Sequence, residues 1–239
     1  MNAKLQSLLP TLASIAVGII PVVVLISYFG VARKLILGWG VLAYVLGVSG
    51  FKLPLYHFIV VRLLHGKFSN TWISISHGLL SAIAELGAAL LFFIFVVPNL
   101  TLVQLIGFGT AAGAVEALML PFIQNPLKGT PLEEHSSEVL QRSSTNKLIP
   151  WMSVLERVLA LFPHVAARGL VYISVVTGNI VPAVLAVVSF ASIDGRAYFA
   201  HLEKCPFDDI RILGRFYRFI ALIAVVQTVL FTFFYFRLM

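Results

Sequence analysis

Seven long apolar runs constrain the fold of this 239-residue chain more than any other feature. Hydrophobic residues make up 59% of the chain and charged residues only 11%, whereas about 25% of the residues of a soluble domain are charged. Each run is near or above the roughly 20 residues that a helix needs to cross a bilayer. The runs cover residues 8–32, 35–64, 72–97, 102–123, 150–176, 180–203 and 214–236. We therefore predict an all-α, polytopic transmembrane helix bundle of about seven spans, forming a single domain over residues 1–239.

The first two runs differ from simple crossings. The first is too long for the apolar region of a signal peptide and lacks a small-residue cleavage site, so we expect it to remain as a helix. The second is longer than one crossing requires and contains Gly47, Gly50, Lys52 and Pro54. Such a run fits a tilted helix, a kinked helix or a partly interfacial segment.

The distribution of Lys and Arg predicts the orientation in the membrane. Connections 98–101 and 177–180 carry no Lys or Arg, whereas those around residues 62–67, 128–147 and 204–218 are basic. Because basic loops remain in the cytosol, we predict a cytosolic N-terminus and an external C-terminus. The basic pair at residues 33 and 34 is the one exception. The polar segment 124–149 is predicted to be a cytosolic loop between spans 4 and 5, with a short helix near residues 133–141.

Composition also limits the partners. The net charge of +7 does not indicate nucleic acid, because the basic residues lie mainly at the ends of apolar runs, where they determine topology. We expect the bilayer itself and a membrane protein or peptide, as substrate or partner subunit, in a prokaryotic plasma membrane. Cys205 is the only cysteine, which excludes an intrachain disulfide and a Cys-based metal cluster. We expect neither a metal nor a cofactor.

Ionisable side chains inside the apolar runs are the candidate functional residues, because a charge at bilayer depth is costly and usually has a function. At 1.5 Å per residue, Glu85, Glu116, His164 and Asp194 all lie between mid-membrane and the predicted cytosolic leaflet. We therefore predict that these four side chains surround one cavity. Two stripes of small residues accompany the acids and allow helices to approach closely: residues 78, 82 and 89 beside Glu85, and residues 109, 112 and 113 beside Glu116.

The segment 156–172 combines charged side chains with a proline inside a predicted span. Arg157, His164 and Arg168 lie on one face of a helix at positions i, i+7 and i+11. Pro163 is expected to bend the helix just before His164 and to make room for a ligand or water. The candidate binding residues of this segment are Glu156, Arg157 and Arg168. Each candidate also has a structural interpretation, as a hydrogen-bonded packing residue or an interfacial ion pair.

The pattern resembles the YhfC branch of the CAAX-protease and bacteriocin-processing (CPBP) superfamily of glutamic-type intramembrane proteases. The similar segments lie between residues 77 and 200 and comprise Ala84–Ala88, Gly113–Leu118, Glu156–His164 and Asp194. The resemblance implies that a carboxylate, Glu85 or Glu116, activates water. It also implies that His164 and Asp194 help to polarise the scissile carbonyl and to stabilise its oxyanion.

Several positions depart from the pattern of that superfamily. Its first Glu is Ala84 here, its Arg is Ala88, and the His expected four residues before Asp194 is Phe190. The chain is thus predicted to be an intramembrane glutamic-type protease, or a catalytically degenerate relative, acting on a membrane-associated peptide or protein. A proton-coupled transporter remains an alternative, since buried Glu, His and Asp are equally expected there. A noncatalytic subunit or scaffold of a larger membrane complex is another.

Overall fold

The computed structural model describes residues 3–29, 34–119 and 148–239, and these residues form helices and no strand. Seven of the helices are long and apolar enough to cross a membrane. This confirms the predicted all-α bundle of about seven spans and indicates a multi-pass membrane protein. The helices are α1 (Ala3–Phe29), α2 (Lys34–Leu64), α3 (Asn70–Phe95), α4 (Leu102–Met119), α5 (Ile149–Thr177), α6 (Val181–Leu202) and α7 (Ile210–Leu238).

The predicted cytosolic loop lies almost entirely outside the described residues, which resume at residue 148. The short helix expected near residues 133–141 lies outside them as well. The orientation of the bundle in the membrane stays a prediction.

Helix α2 is continuous but changes its winding along its length. It is α-helical over Lys34–Val45 and π-helical over Leu46–Lys52 and Tyr56–Leu64, with a short α-helical turn between the two π-helical parts. Gly47 and Gly50 therefore lie in the wider turns and Pro54 in the short α-helical turn, and none of them breaks the helix. π-Helical turns are rare and occur frequently at functional sites.

Small residues allow two helix pairs to pack with their backbones close together. A Cβ atom at Gly78 of α3 would overlap the carbonyl oxygen of Ala191 in α6 and lie 2.9 Å from the amide nitrogen of Gly195. A Cβ atom at Gly109 of α4 would lie 2.5 Å from the Cα atom of Val165 in α5. Both glycines belong to the stripes predicted to bring helices together, and the structure confirms that role.

The interior of the bundle divides into an apolar half and a polar half. In the apolar half, where α3 and α5 end and α4 begins, the core is closed by buried side chains that include Phe93, Phe108, Leu170 and Ile173. In the polar half, where α4 and α6 end and α5 begins, lie the ionisable side chains identified from the sequence. The candidate site therefore occupies one half of the bundle.

Tyr172 of α5 holds the connection between α3 and α4. Its hydroxyl oxygen accepts a hydrogen bond from the amide of Leu100 at 2.6 Å. The hydroxyl hydrogen is directed towards the carbonyl oxygens of Leu100 and Pro98, at 3.2 and 3.3 Å. All of these atoms belong to the closed, apolar half of the bundle.

We expect Tyr172→Phe to lower the free energy of unfolding by about 1–3 kcal/mol, because the buried amide of Leu100 loses its acceptor. Unfolding of the purified variant in detergent micelles measures this change. Tyr235→Phe is the control, because no hydrogen bond of the Tyr235 hydroxyl occurs within the described residues and the residue is partly buried in the same half. Equal losses in the two variants would show that the Tyr172 hydroxyl is not an anchor.

Candidate functional site

A continuous series of ion pairs and hydrogen bonds joins side chains from α2 to α7 in the polar half of the bundle. We call it the central network. Its members are Lys52, Ser81, Glu85, Glu116, Glu156, Arg157, His164, Arg168, Asp194 and Tyr217. All seven candidate residues predicted from the sequence lie in it. Their catalytic and binding roles stay predictions.

Lys52 forms one end of the central network. Its ammonium group donates to Glu85 Oε1 at 2.9 Å and to Asp194 Oδ2 at 3.1 Å. Lys52 therefore connects α2 with both α3 and α6. The Ser81 hydroxyl also donates to Asp194 Oδ2. Sequence reasoning treated Lys52 as an interruption of its span and missed this role. A lysine within a mainly apolar run was itself the signal, since such a charge requires a partner.

Glu85 and Arg168 form the most deeply buried part of the central network. The Glu85 side chain is 3% exposed and that of Arg168 is completely buried, with Arg168 Nη2 donating to Glu85 Oε2 at 3.4 Å. Lys52 approaches the other oxygen of Glu85. Each oxygen of this carboxylate therefore faces a cation, as a buried charge requires.

His164 lies between Arg168 and Glu116, and both of its ring nitrogens are engaged. Arg168 Nη1 lies 2.7 Å from His164 Nδ1, and His164 Nε2 lies 2.7 Å from Glu116 Oε2. A guanidinium group can only donate, so Nδ1 must be the acceptor. The imidazole proton is thereby assigned to Nε2, which donates to Glu116, and His164 is neutral in this arrangement.

Arg157 extends the central network to α7. Its Nη1 donates to Glu116 Oε1 at 2.6 Å, and its Nη2 donates to Glu156 Oε1. The Tyr217 hydroxyl donates to Glu156 Oε2 at 2.9 Å. Glu156 therefore joins the site through its sequence neighbour and through α7, although it lies off the helix face that carries Arg157 and His164.

A cavity of about 510 Å³ adjoins the central network and is lined by all four predicted catalytic residues. Its exposed charges are mainly acidic. The side chains that keep the most exposure are the carboxylates of Glu156 (34%), Glu116 (25%) and Asp194 (24%), followed by Lys52 at 22%. The side chains of Arg157 and Arg168 are only 8% and 0% exposed. With His164 neutral and every acid ionised, four carboxylates face three cations, so the central network carries a net charge of −1.

The positions that depart from the CPBP pattern are filled by apolar contacts. The ring of Phe190 lies edge-on to His164, with 5.8 Å between the ring centroids. Ala88 lies against α2, because a Cβ atom built at Gly47 would be 3.3 Å from the Cβ atom of Ala88. A phenyl ring and a methyl group therefore lie at the positions where the resemblance implies a histidine and an arginine, and neither can donate a hydrogen bond.

His77 lies in an aromatic cluster with Tyr56 and Tyr198. It stacks on Tyr198 with 4.2 Å between the ring centroids. Within residues 3–29, 34–119 and 148–239, no group of three His, Cys, Asp or Glu side chains is placed to hold a metal ion.

Comparison of the chain with protein-family models, with curated proteins and with solved structures finds no match. The resemblance to the CPBP superfamily therefore depends on the short segments quoted above.

Proposed function

We propose that the chain is a catalytically degenerate relative of the CPBP intramembrane proteases that binds a membrane-associated peptide or protein in its cavity without cleaving it. The observation that carries this proposal is the engagement of both nitrogens of His164 by protein groups. A general base needs a free nitrogen, and an oxyanion donor needs an N–H directed at the reacting atom. His164 has neither.

The carboxylates support the same conclusion. Glu85 is almost completely buried between Lys52 and Arg168, so little of it can reach a water molecule in the cavity. Glu116 is more exposed but already accepts from Arg157 and from His164. A carboxylate held by two donors is a weaker proton acceptor than one poised for water activation. Phe190, which lies beside His164, offers no hydrogen-bond donor for an oxyanion.

The cavity nevertheless has the properties of a binding site. Its volume lies within the range of about 300–1,000 Å³ that is typical of ligand pockets. Because its exposed charges are mainly carboxylates, we expect the bound segment to present a positive charge, such as a lysine or arginine side chain. The closed apolar half of the bundle favours binding over permeation, since buried aromatic rings such as Phe93 and Phe108 fill the interior there.

Reconstituted wild-type protein is expected to leave transmembrane peptides intact. In an active protease, His164→Ala would reduce the rate of cleavage by about two to four orders of magnitude. Here the parent, His164→Ala and Glu85→Gln should show the same background by mass spectrometry of peptides incubated with each protein in lipid nanodiscs. Specific cleavage by the parent that disappears in His164→Ala, with unchanged thermal unfolding, would establish a protease and overturn the proposal.

Binding is tested by crosslinking from within the cavity. A photoreactive side chain at Ile193, which lines the cavity, should capture a transmembrane peptide of about 20 residues that carries one lysine. A second peptide has norleucine in place of the lysine. Its crosslinking should be about tenfold weaker, because one charge-assisted hydrogen bond contributes roughly a factor of ten to the affinity. Glu116→Gln should reduce the difference between the two peptides.

The matched control places the same photoreactive side chain at Val229 of α7, which is 60% exposed on the outer surface. Crosslinking there should not depend on the lysine. Equal capture of the two peptides at Ile193, or equal capture at Ile193 and Val229, would mean that the cavity does not bind a basic segment.

A further inference from the structure

A groove on the outer surface of the bundle, between α3 and α6, lies outside the central network. It has a volume of about 400 Å³. Its walls include Ile75, Leu79 and Val188, which are 45%, 40% and 56% exposed, and Arg196 lies towards the end of α6. We propose that this groove binds an anionic phospholipid, with an acyl chain along the apolar wall and the phosphate at Arg196.

The position of Arg196 fits the phosphate level of a bilayer. It lies six residues before the end of α6 at Leu202, which corresponds to about 9 Å along the helix axis. An arginine at this depth extends its side chain along apolar surface and places its guanidinium group at the interface. The guanidinium carbon lies 5.7 Å from the centre of the Phe199 ring, an aromatic neighbour of the kind that supports a cation.

Arg196 is the charged residue in the lining of the groove, so a ligand bound there would contact its guanidinium group. No ion pair joins it to a carboxylate within the described residues. The hydroxyl groups of Ser74 and Ser192 are occupied within their own helices, where they donate to the carbonyl oxygens of Asn70 and Val188 at 2.7 Å each. An exposed guanidinium at the end of an apolar groove is complementary to a phosphate group, which it can bind with two parallel hydrogen bonds.

The size of the groove favours a chain-like occupant over a second helix. A helix with its side chains is about 10–12 Å across and needs a wide seam to pack into. An acyl chain is thinner and can lie along the seam. Gly195 lines the groove and lies close to the backbone of α3, so no side chain projects into the groove at this position.

Native mass spectrometry of the full-length protein tests the proposal. The protein in detergent micelles is titrated with phosphatidylglycerol or with phosphatidylcholine of the same acyl chains. We expect phosphatidylglycerol to be retained about tenfold more strongly, because its headgroup carries a net negative charge that can pair with Arg196. Arg196→Gln should remove this preference, whereas Ile75→Trp, which fills the groove, should reduce the retention of both lipids.

Arg215→Gln is the matched control, because Arg215 is an exposed arginine near the start of α7 and does not line the groove. It should leave the preference for phosphatidylglycerol unchanged. Equal losses in Arg215→Gln and Arg196→Gln would indicate a general attraction to basic surface and overturn the proposal. Absence of a lipid preference, or displacement of the bound lipid by inorganic phosphate, would overturn it too. Disulfide crosslinking of two copies through cysteines at position 75 would show that the groove is a helix interface instead.

Discussion

Arg168→Met is expected to lower the free energy of unfolding by about 3–5 kcal/mol, the cost of removing one partner of a buried ion pair. Arg168 is completely buried, and its guanidinium group bonds both to Glu85 and to His164. Without it, one oxygen of Glu85 and Nδ1 of His164 lose their partner, and each of these side chains is only 3% exposed. Reversible unfolding in mixed micelles, with and without SDS, measures the loss.

Two variants show whether the loss comes from an unpaired charge. Glu85→Leu combined with Arg168→Met removes the pair as a whole, and it should recover much of the stability because apolar replacements of buried pairs are often neutral. Arg237→Met, at the exposed end of α7, should change the free energy of unfolding by no more than about 0.5 kcal/mol. Parent-like stability of Arg168→Met would mean that the central network does not hold the helices together.

Gly78→Ala should destabilise the bundle by about 1–3 kcal/mol, although the change adds only one methyl group. The new Cβ atom would meet backbone atoms of Ala191 and Gly195 in α6, which cannot rotate away as a side chain can. Helices α3 and α6 would have to separate, and Ser81 would move away from Asp194. The measurement is unfolding in mixed micelles, as for Arg168→Met.

Gly87→Ala, on the same helix α3, is the control for this prediction. A Cβ atom at Gly87 would have no neighbour within 4 Å. Gly87→Ala should therefore leave stability unchanged or raise it by up to about 1 kcal/mol through the higher helix propensity of alanine. If Gly78→Ala and Gly87→Ala behave alike, the close approach of α3 to α6 is not needed for stability.

The fold was predictable from the sequence because membrane-spanning helices have a length and a composition that water-soluble segments rarely share. The placement of Glu85, Glu116, His164 and Asp194 around one cavity was predictable for a related reason. Depth in the membrane follows from the residue count along each span, and small residues such as Gly78 indicate which helix face lies inward.

The pairing of the charges was not predictable in the same way. Lys52 lies among π-helical turns, where the regular 3.6-residue periodicity no longer tells which side a residue faces. Arg168 lies one helical turn after His164 on α5, but the sequence did not show that Glu116 would occupy the other ring nitrogen, since that depends on the distance between α4 and α5. The proposal of binding without hydrolysis depends on this arrangement.

The order in which the spans are synthesised determines when the charges of the central network can pair. Lys52 is made 142 residues before Asp194 but only 33 residues before Glu85, so α2 and α3 can neutralise each other as a helical hairpin soon after both exist. Within the described residues, the hydrogen-bond partners of Glu116 come later in the chain, since Arg157 and His164 follow it by 41 and 48 residues. A lone acid at that depth costs a few kcal/mol during insertion. Helix α4 therefore depends on the arrival of α5 to pair its buried acid within the bilayer.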